Sequence, residues 1–296
     1  MTTHEPSILA RDSLPVVTPP VSAKTVRDIV GGRGHLSLET VQEFWQFREV
    51  QLALVMRQLK VRYKQAFVGA GWVVLQPLIA AGIFALILGR YGHVKSSEPF
   101  FLVVLGGMVG WVYVSNALTV GAESVVANQD LVRKIYFPRE TLPLTAVFSG
   151  LVDLLIALGV LIVVSFAYGI KPALSWIALP LPLLVLVLFA GAGALSLSAL
   201  NIYYRDVRYI LPFMIQLGLL ASPIAYPLSV IPARWRELYA ILNPIAAGVD
   251  AIRRIVIEGT WPAPGTTFAA LGYSLVLIVL AAMLFKRLER GFADRA

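Results

Sequence analysis

The sequence has no cysteine. That excludes disulfides, thiolate metal sites and a cysteine nucleophile, and it says nothing more about compartment. Histidine is scarce: His4, His35 and His93 are scattered, so no imidazole set is at hand. Charge is scarce as well. Only 14% of the 296 residues are charged and 58% are hydrophobic, with a mean hydropathy of +0.76. A soluble domain carries about 25% charged residues, so most of this chain belongs in lipid. A phosphate loop is also missing. The Gly-rich run GGRG at Gly31 to Gly34 lacks the following Lys-Ser/Thr and any flanking strand. The chain is therefore expected to hold no catalytic residue, metal or cofactor. If it does energised work, ATP and Mg must be bound by a partner subunit.

What is present is long apolar runs. A membrane-crossing helix needs about 20 mostly apolar residues. Six segments qualify: Trp72–Gly89, Phe100–Gly121, Leu142–Ile170, Leu174–Leu200, Tyr209–Tyr226 and Thr267–Phe285. The fold class expected is an all-α membrane protein with six transmembrane helices. Several runs contain proline, which implies kinks whose freed carbonyls neighbouring groups must satisfy. Residues 1–38 read as a polar, Pro- and Gly-rich cytoplasmic tail without the apolar core of a signal peptide. Residues 39–64 read as an interfacial helix, 65–289 as the transmembrane domain and 290–296 as a second cytoplasmic tail.

Basic residues set the orientation. Before the first span stand Arg48, Arg57, Lys60, Arg62 and Lys64. The same side holds Arg133, Lys134, Arg139, Arg205, Arg208, Lys286, Arg287, Arg290 and Arg295. The opposite short loops hold only Arg90, Lys95 and Lys171. Both termini are expected in the cytoplasm. The net charge of +8 is explained this way, because its cations form no single patch for nucleic acid.

Two segments are amphipathic without being spans. In ETVQEFWQFREVQLALVMRQLKVRYK, Val41, Phe44, Trp45, Leu52, Val55, Met56 and Leu59 recur at helical spacing. The pattern predicts a helix in the headgroup plane, with a soluble helix packed on another protein as the alternative. Between spans five and six, two short helical pieces, about Ala233–Leu242 and Ile245–Ile257, are split by Asn243-Pro244. Pre-proline residues avoid the α region, and each piece is too short to cross. Two re-entrant half-helices in the outer leaflet fit. Trp235, Tyr239, Asn243, Pro244, Asp250 and Arg253 are the candidate outer gate.

Asp153 is the only carboxylate well inside a predicted span. A proton-coupled transporter would need a second such group, and a membrane glycosyltransferase would need an acidic cluster. Asp153 reads as an interhelical hydrogen bond or a polar spot on a pore wall.

Four stretches, in this order, resemble the type-2 ATP-binding-cassette permeases. KVRYKQAFVGAGWVVLQP, from Lys60, looks like the entry to that family's first span. LVRKIYFPRE, from Leu131, resembles its basic FPR loop between spans two and three. NIYYRDVRYI, from Asn201, resembles its Arg-Asp loop. SPIAYPLSVIPARWRELYAILNPIAAGVDAIRR, from Ser222, resembles its outer segment. The likeness covers about Val41 to Phe292 and is closest to exporters of O-antigen, capsule and teichoic acid. Two departures stand out: Gln58 where many members place an acid, and a longer N-terminal tail.

The resemblance implies a homodimeric permease of the cytoplasmic (inner) membrane, with two ATP-binding subunits docked below and an undecaprenyl-linked glycan as cargo. The alternative is export of a small hydrophobic molecule by the same architecture. It further implies roles. Leu131, Arg133, Lys134, Ile135, Phe137, Pro138 and Arg139, with Arg205 and Asp206, would couple to the ATPase. A mixed basic and apolar loop suits docking to a partner, and a headgroup-binding loop is the plainer reading. Arg62, Tyr63 and Lys64 would receive the pyrophosphate of the lipid carrier, against ordinary positive-inside anchoring. Trp72, Phe84, Trp111, Tyr113 and Tyr226 are candidate pore-lining aromatics, against membrane-belt anchors.

Overall fold

The computed structural model describes residues 46–64, 71–91, 99–134, 137–289 and 291–292. The tail expected over residues 1–38, with Val41, Phe44, Trp45 and Ile135, lies outside the described residues. Among the described residues ten α-helices follow one another: α1 Arg48–Lys64, α2 Gly71–Tyr91, α3 Phe100–Ala127, α4 Gln129–Lys134, α5 Thr141–Ala167, α6 Pro180–Tyr203, α7 Val207–Ala221, α8 Ala233–Leu242, α9 Pro244–Val256 and α10 Pro264–Glu289. Among the described residues there is no strand. The protein is an all-α membrane protein.

Five of these helices are long and apolar enough to cross a bilayer: α2, α3, α5, α6 with its preceding turn, and α10. The fifth run of the sequence behaves differently. Its helix α7 has 15 residues and stops at Ala221. At 1.5 Å per residue it is about 22 Å long, short of the roughly 30 Å hydrocarbon core. The predicted continuation to Tyr226 fails at Ser222-Pro223, where the residue before proline turns extended (ψ 148°).

Helix α3 is the hub. It packs against α2, α5, α6, α7 and α9, and every residue from Leu102 to Val114 is buried. With no hydrophobic drive between helices in lipid, close approach through small residues does the work. At Gly121 an added Cβ would sit 2.6 Å from the Cβ of Ala194 on α6, so a larger residue there would force α3 and α6 apart.

Helix α1 departs from the expected picture. Its contacts run along α5, with Gln51 near Thr145 at one end and Arg62 near Asp153 at the other. Asp153 lies 12 residues into α5, about 18 Å along it. A helix lying flat in the headgroup plane would not make both contacts. The face turned inward carries Phe47, Gln51, Leu54, Gln58, Arg62 and Tyr63, whereas Leu52, Met56 and Val61 are exposed. Only Val55 and Leu59 of the described predicted apolar stripe turn inward.

The short helices α8 and α9 match the sequence reading within a residue or two, with the break at Asn243-Pro244. Asn243 accepts from the Ala246 N–H through its side chain at 3.4 Å, and Pro244 opens α9 where no N–H is needed. Helix α9 is not a loose lid. Eleven of its 13 residues are buried, against α3 and α6.

Candidate functional site

Three clusters gather the chemistry-bearing residues. The first lies where the chain leaves α7. Residues 222–226 have lost helical hydrogen bonding, and their carbonyls need donors. Arg253 of α9 supplies them. Its Nε donates to the Val103 carbonyl at 2.7 Å, Nη1 to Pro223 at 2.7 Å and Tyr226 at 3.1 Å, and Nη2 to Ile224. The guanidinium is rigid, planar and five-fold donating, which suits one residue for acceptors on several elements. Room for it comes from Gly107: a Cβ there would fall 2.4 Å from the Ile224 carbonyl and 2.6 Å from Arg253 Nη2. Tyr226 donates to the Leu220 and Ala221 carbonyls at 3.2 Å, and the Tyr239 hydroxyl also reaches Ala221. Asn243 donates to Ser222 Oγ at 3.0 Å.

The proposed outer-gate residues therefore divide. Tyr239, Asn243 and Arg253 hold the broken chain together, joined by Tyr226. Asp250 instead pairs with Arg254 on its own helix at 2.7 Å, and Trp235 is exposed.

The second cluster is on the cytoplasmic side of the sequence reading. Phe137 is buried among Val125, Leu142, Leu195, Phe285 and Phe292, with Leu131 packed at the edge. It is thus a core residue of this chain rather than a free docking knob. Arg139 faces the end of α10, 3.7 Å from Glu289 and over the Phe292 ring at 5.8 Å. Lys286 bridges Glu140 at 2.6 Å and Glu289 at 3.4 Å. The turn carrying Pro138, which ends in the start of α5, is clamped to the last helix by alternating charges. Arg133 and Lys134 fall on α4, but their side chains lie outside the described ones. Arg205 and Asp206 are both exposed, and no ion pair joins them. The pair at that turn is Arg208 with Glu123 of α3, at 3.9 Å and half-exposed, a geometry worth little in water.

The third cluster centres on Asp153. Arg62 and Tyr63, two neighbours at the end of α1, both donate to its carboxylate. The Asp153 side chain is 8% exposed and that of Arg62 28%. Burial, and then the bond to Asp153, push the Tyr63 phenol up to about 12, so it stays protonated and donating at neutral pH. These groups open on a cavity of about 350 Å³ between α1, α2, α3 and α5. Trp72, Gln76, Tyr113 and Asn116 contribute its other polar and aromatic surface, and Val73, Val109, Val112 and Leu154 its apolar wall.

The aromatic candidates are dispersed. Trp72, 54% exposed, and Tyr113 line this cavity. Trp111 is buried against Gly218 of α7, Phe84 is half-buried against the main core, and Tyr226 serves the break after α7. Lys64 is exposed and away from the cavity lining. Sequence reasoning missed Gln76, Asn116 and the Arg253 hub's acceptors. A polar amide in an apolar run was the available signal for the first two.

A family model described as ABC-2 type transporter matches residues 50–257. The chain is 29% identical over 259 residues to the O-antigen export system permease protein RfbA of Myxococcus xanthus, across 87% of this chain and 99% of that one. It is 27% identical to the protein of the same name from Klebsiella pneumoniae, across 83% and 94%. The polysialic acid transport protein KpsM of Escherichia coli is 24% identical, across 81% and 93%.

Proposed function

Because the chain belongs to the ABC-2 type transporter family, we propose that it is the permease of a polysaccharide exporter. Its cargo in this reading is a lipid-linked glycan, such as an undecaprenyl-linked O-antigen or capsule chain. The observation that carries the reading is the end-to-end likeness to the O-antigen export permease of Myxococcus xanthus, over 99% of its length. Helix α7 would complete six spans with the help of the re-entrant α8 and α9, leaving both termini in the cytoplasm of a cell whose inner membrane holds the protein. Two copies would form the pore, and two separate ATPase subunits would bind ATP and Mg. Deletion of the permease should leave undecaprenyl-linked glycan accumulating on the cytoplasmic face, measured by lipid extraction and glycan analysis. Normal surface glycan with no internal accumulation would overturn the proposal.

The loop from Asn128 to Glu140 is the proposed point of coupling to the ATPase. The clamp of Arg139 and Glu140 to Lys286 and Glu289 supports it, because a push on this loop would reach α10 as well as α3 and α5. Arg133→Glu should leave the permease folded while export falls at least tenfold and ATP hydrolysis loses its dependence on cargo. Unchanged export in that variant, with wild-type assembly, would remove the loop from the coupling path. Phe137→Ala is the less informative change, since a buried phenylalanine lost from a core costs about 3–5 kcal/mol of stability by itself.

A further inference from the structure

The cavity beside Asp153 is lined by two amides, of which Gln76 is exposed and Asn116 half-buried. Gln76 on α2 and Asn116 on α3 both line it, and neither has a hydrogen-bond partner among the described residues. An amide in a membrane span is costly unless it meets protein, water or a ligand. Helix stability gives no reason for either residue there. Each amide offers two donors and an acceptor, and the two face a common space of about 350 Å³, at the small end of the roughly 300–1,000 Å³ range of small-molecule sites.

The charge balance of that space decides the class of ligand. Arg62 is already matched by Asp153, and Lys64 is not in the lining. Among the described lining residues no cation remains beyond that pair, which favours an uncharged ligand in this cavity. What remains is a neutral wall: two amides, the Tyr63 hydroxyl, a carboxylate with spare acceptor capacity, and the half-exposed face of Trp72. Amides and a carboxylate match the adjacent donor and acceptor of vicinal hydroxyls. An indole face matches the C–H face of a pyranose ring.

We propose that this cavity is a glycan subsite, in which Gln76 and Asn116 hydrogen-bond the hydroxyls of an uncharged sugar residue of the cargo while Trp72 stacks on its ring. The subsite rests on the reading that the cargo is a glycan, and it adds a place where a short piece of the chain is held beside α1. The Asp153 pair with Arg62 and Tyr63 fixes one wall and keeps the site electrically neutral.

The test uses the permease with its ATPase in lipid nanodiscs. Saturation-transfer NMR is recorded with methyl glucoside, methyl galactoside and methyl mannoside as separate probes, and inorganic pyrophosphate, which has no C–H proton to observe, is followed by broadening of its 31P line. At least one glycoside should receive transfer, and Gln76→Leu and Asn116→Leu should each cut its affinity about tenfold, the loss expected for a lost hydrogen bond to ligand. Both variants should keep the wild-type melting temperature, because neither amide bonds to another described residue. That second readout separates a binding role from a structural one. In cells, each variant should slow glycan export and cause internal accumulation. Binding of pyrophosphate but of no glycoside, no transfer to any glycoside, equal glycoside transfer in wild type and both variants, or a fall in melting temperature matching the loss of transfer would overturn the subsite. Failure of the permease deletion to accumulate glycan would instead overturn the cargo assignment, so the two ideas fail separately.

Discussion

Replacing Arg253 by Met is expected to lower the melting temperature of the detergent-purified protein sharply and to expose residues 221–227 to protease. The side chain is 5% exposed at the residue level and donates to four backbone carbonyls from two parts of the chain. A buried acceptor that loses its donor costs about 1–3 kcal/mol, and bonds from a charged donor are at the upper end. Allowing for relief by water and by the second lone pair of Val103 O, the loss should be at least about 3 kcal/mol. Arg253→Lys should recover less than half of it. An ammonium on a single point can face the Val103 carbonyl or the 223–226 group, but lacks the planar fork that spans them. A wild-type melting temperature for Arg253→Met would show that the break after α7 is satisfied from elsewhere.

The second large effect is expected at Asp153. Asp153→Leu strands the Arg62 guanidinium at the end of α1 and should destabilise the protein by about 3–5 kcal/mol, as does breaking other buried pairs. Arg62→Met should cost a similar amount by leaving the carboxylate with only Tyr63. The double variant Arg62→Met/Asp153→Leu should regain much of the loss, since an apolar pair in place of a buried ion pair is often neutral or stabilising. A coupling energy of about 2 kcal/mol or more in the cycle, read from chemical or thermal unfolding, would confirm that the two residues act on each other. Additive losses would place their effects in separate surroundings.

Much of the fold was legible because length and hydropathy are one-dimensional signals. The apolar runs at Phe100, Leu142, Leu174 and Thr267 became α3, α5, α6 and α10 with small shifts of their ends. The Asn243-Pro244 break was equally legible, because a pre-proline residue constrains its own backbone whatever surrounds it. The same rule applied to Ser222-Pro223 would have ended α7 at Ala221; the unbroken hydropathy through Tyr226 concealed it.

Direction was not legible. In water an apolar stripe marks the buried side of a helix, but in lipid apolar side chains are at home on the outside as well. The stripe of α1 therefore could not tell that Leu52 and Met56 turn outward while Gln51 and Arg62 turn in. Phe137 shows the same limit for a loop. A phenylalanine among cations in LVRKIYFPRE is equally suited to a partner's notch and to its own core, and Phe285 and Phe292, some 150 residues on, decide between them. The cavity shared this obscurity, since Gln76, Asn116 and Asp153 come from three helices whose spacing along the chain carries no sign of their meeting.

Gly107 and Arg253 lie almost 150 positions apart yet occupy one another's space. The outer segment is therefore not an interchangeable part. Grafting residues 222–257 from a related permease would set a foreign outer segment against this chain's Val103 carbonyl and Gly107. Such a chimera needs the donor's residues at 103–107 as well. Natural recombination between such genes would meet the same constraint, so the two stretches must be inherited together.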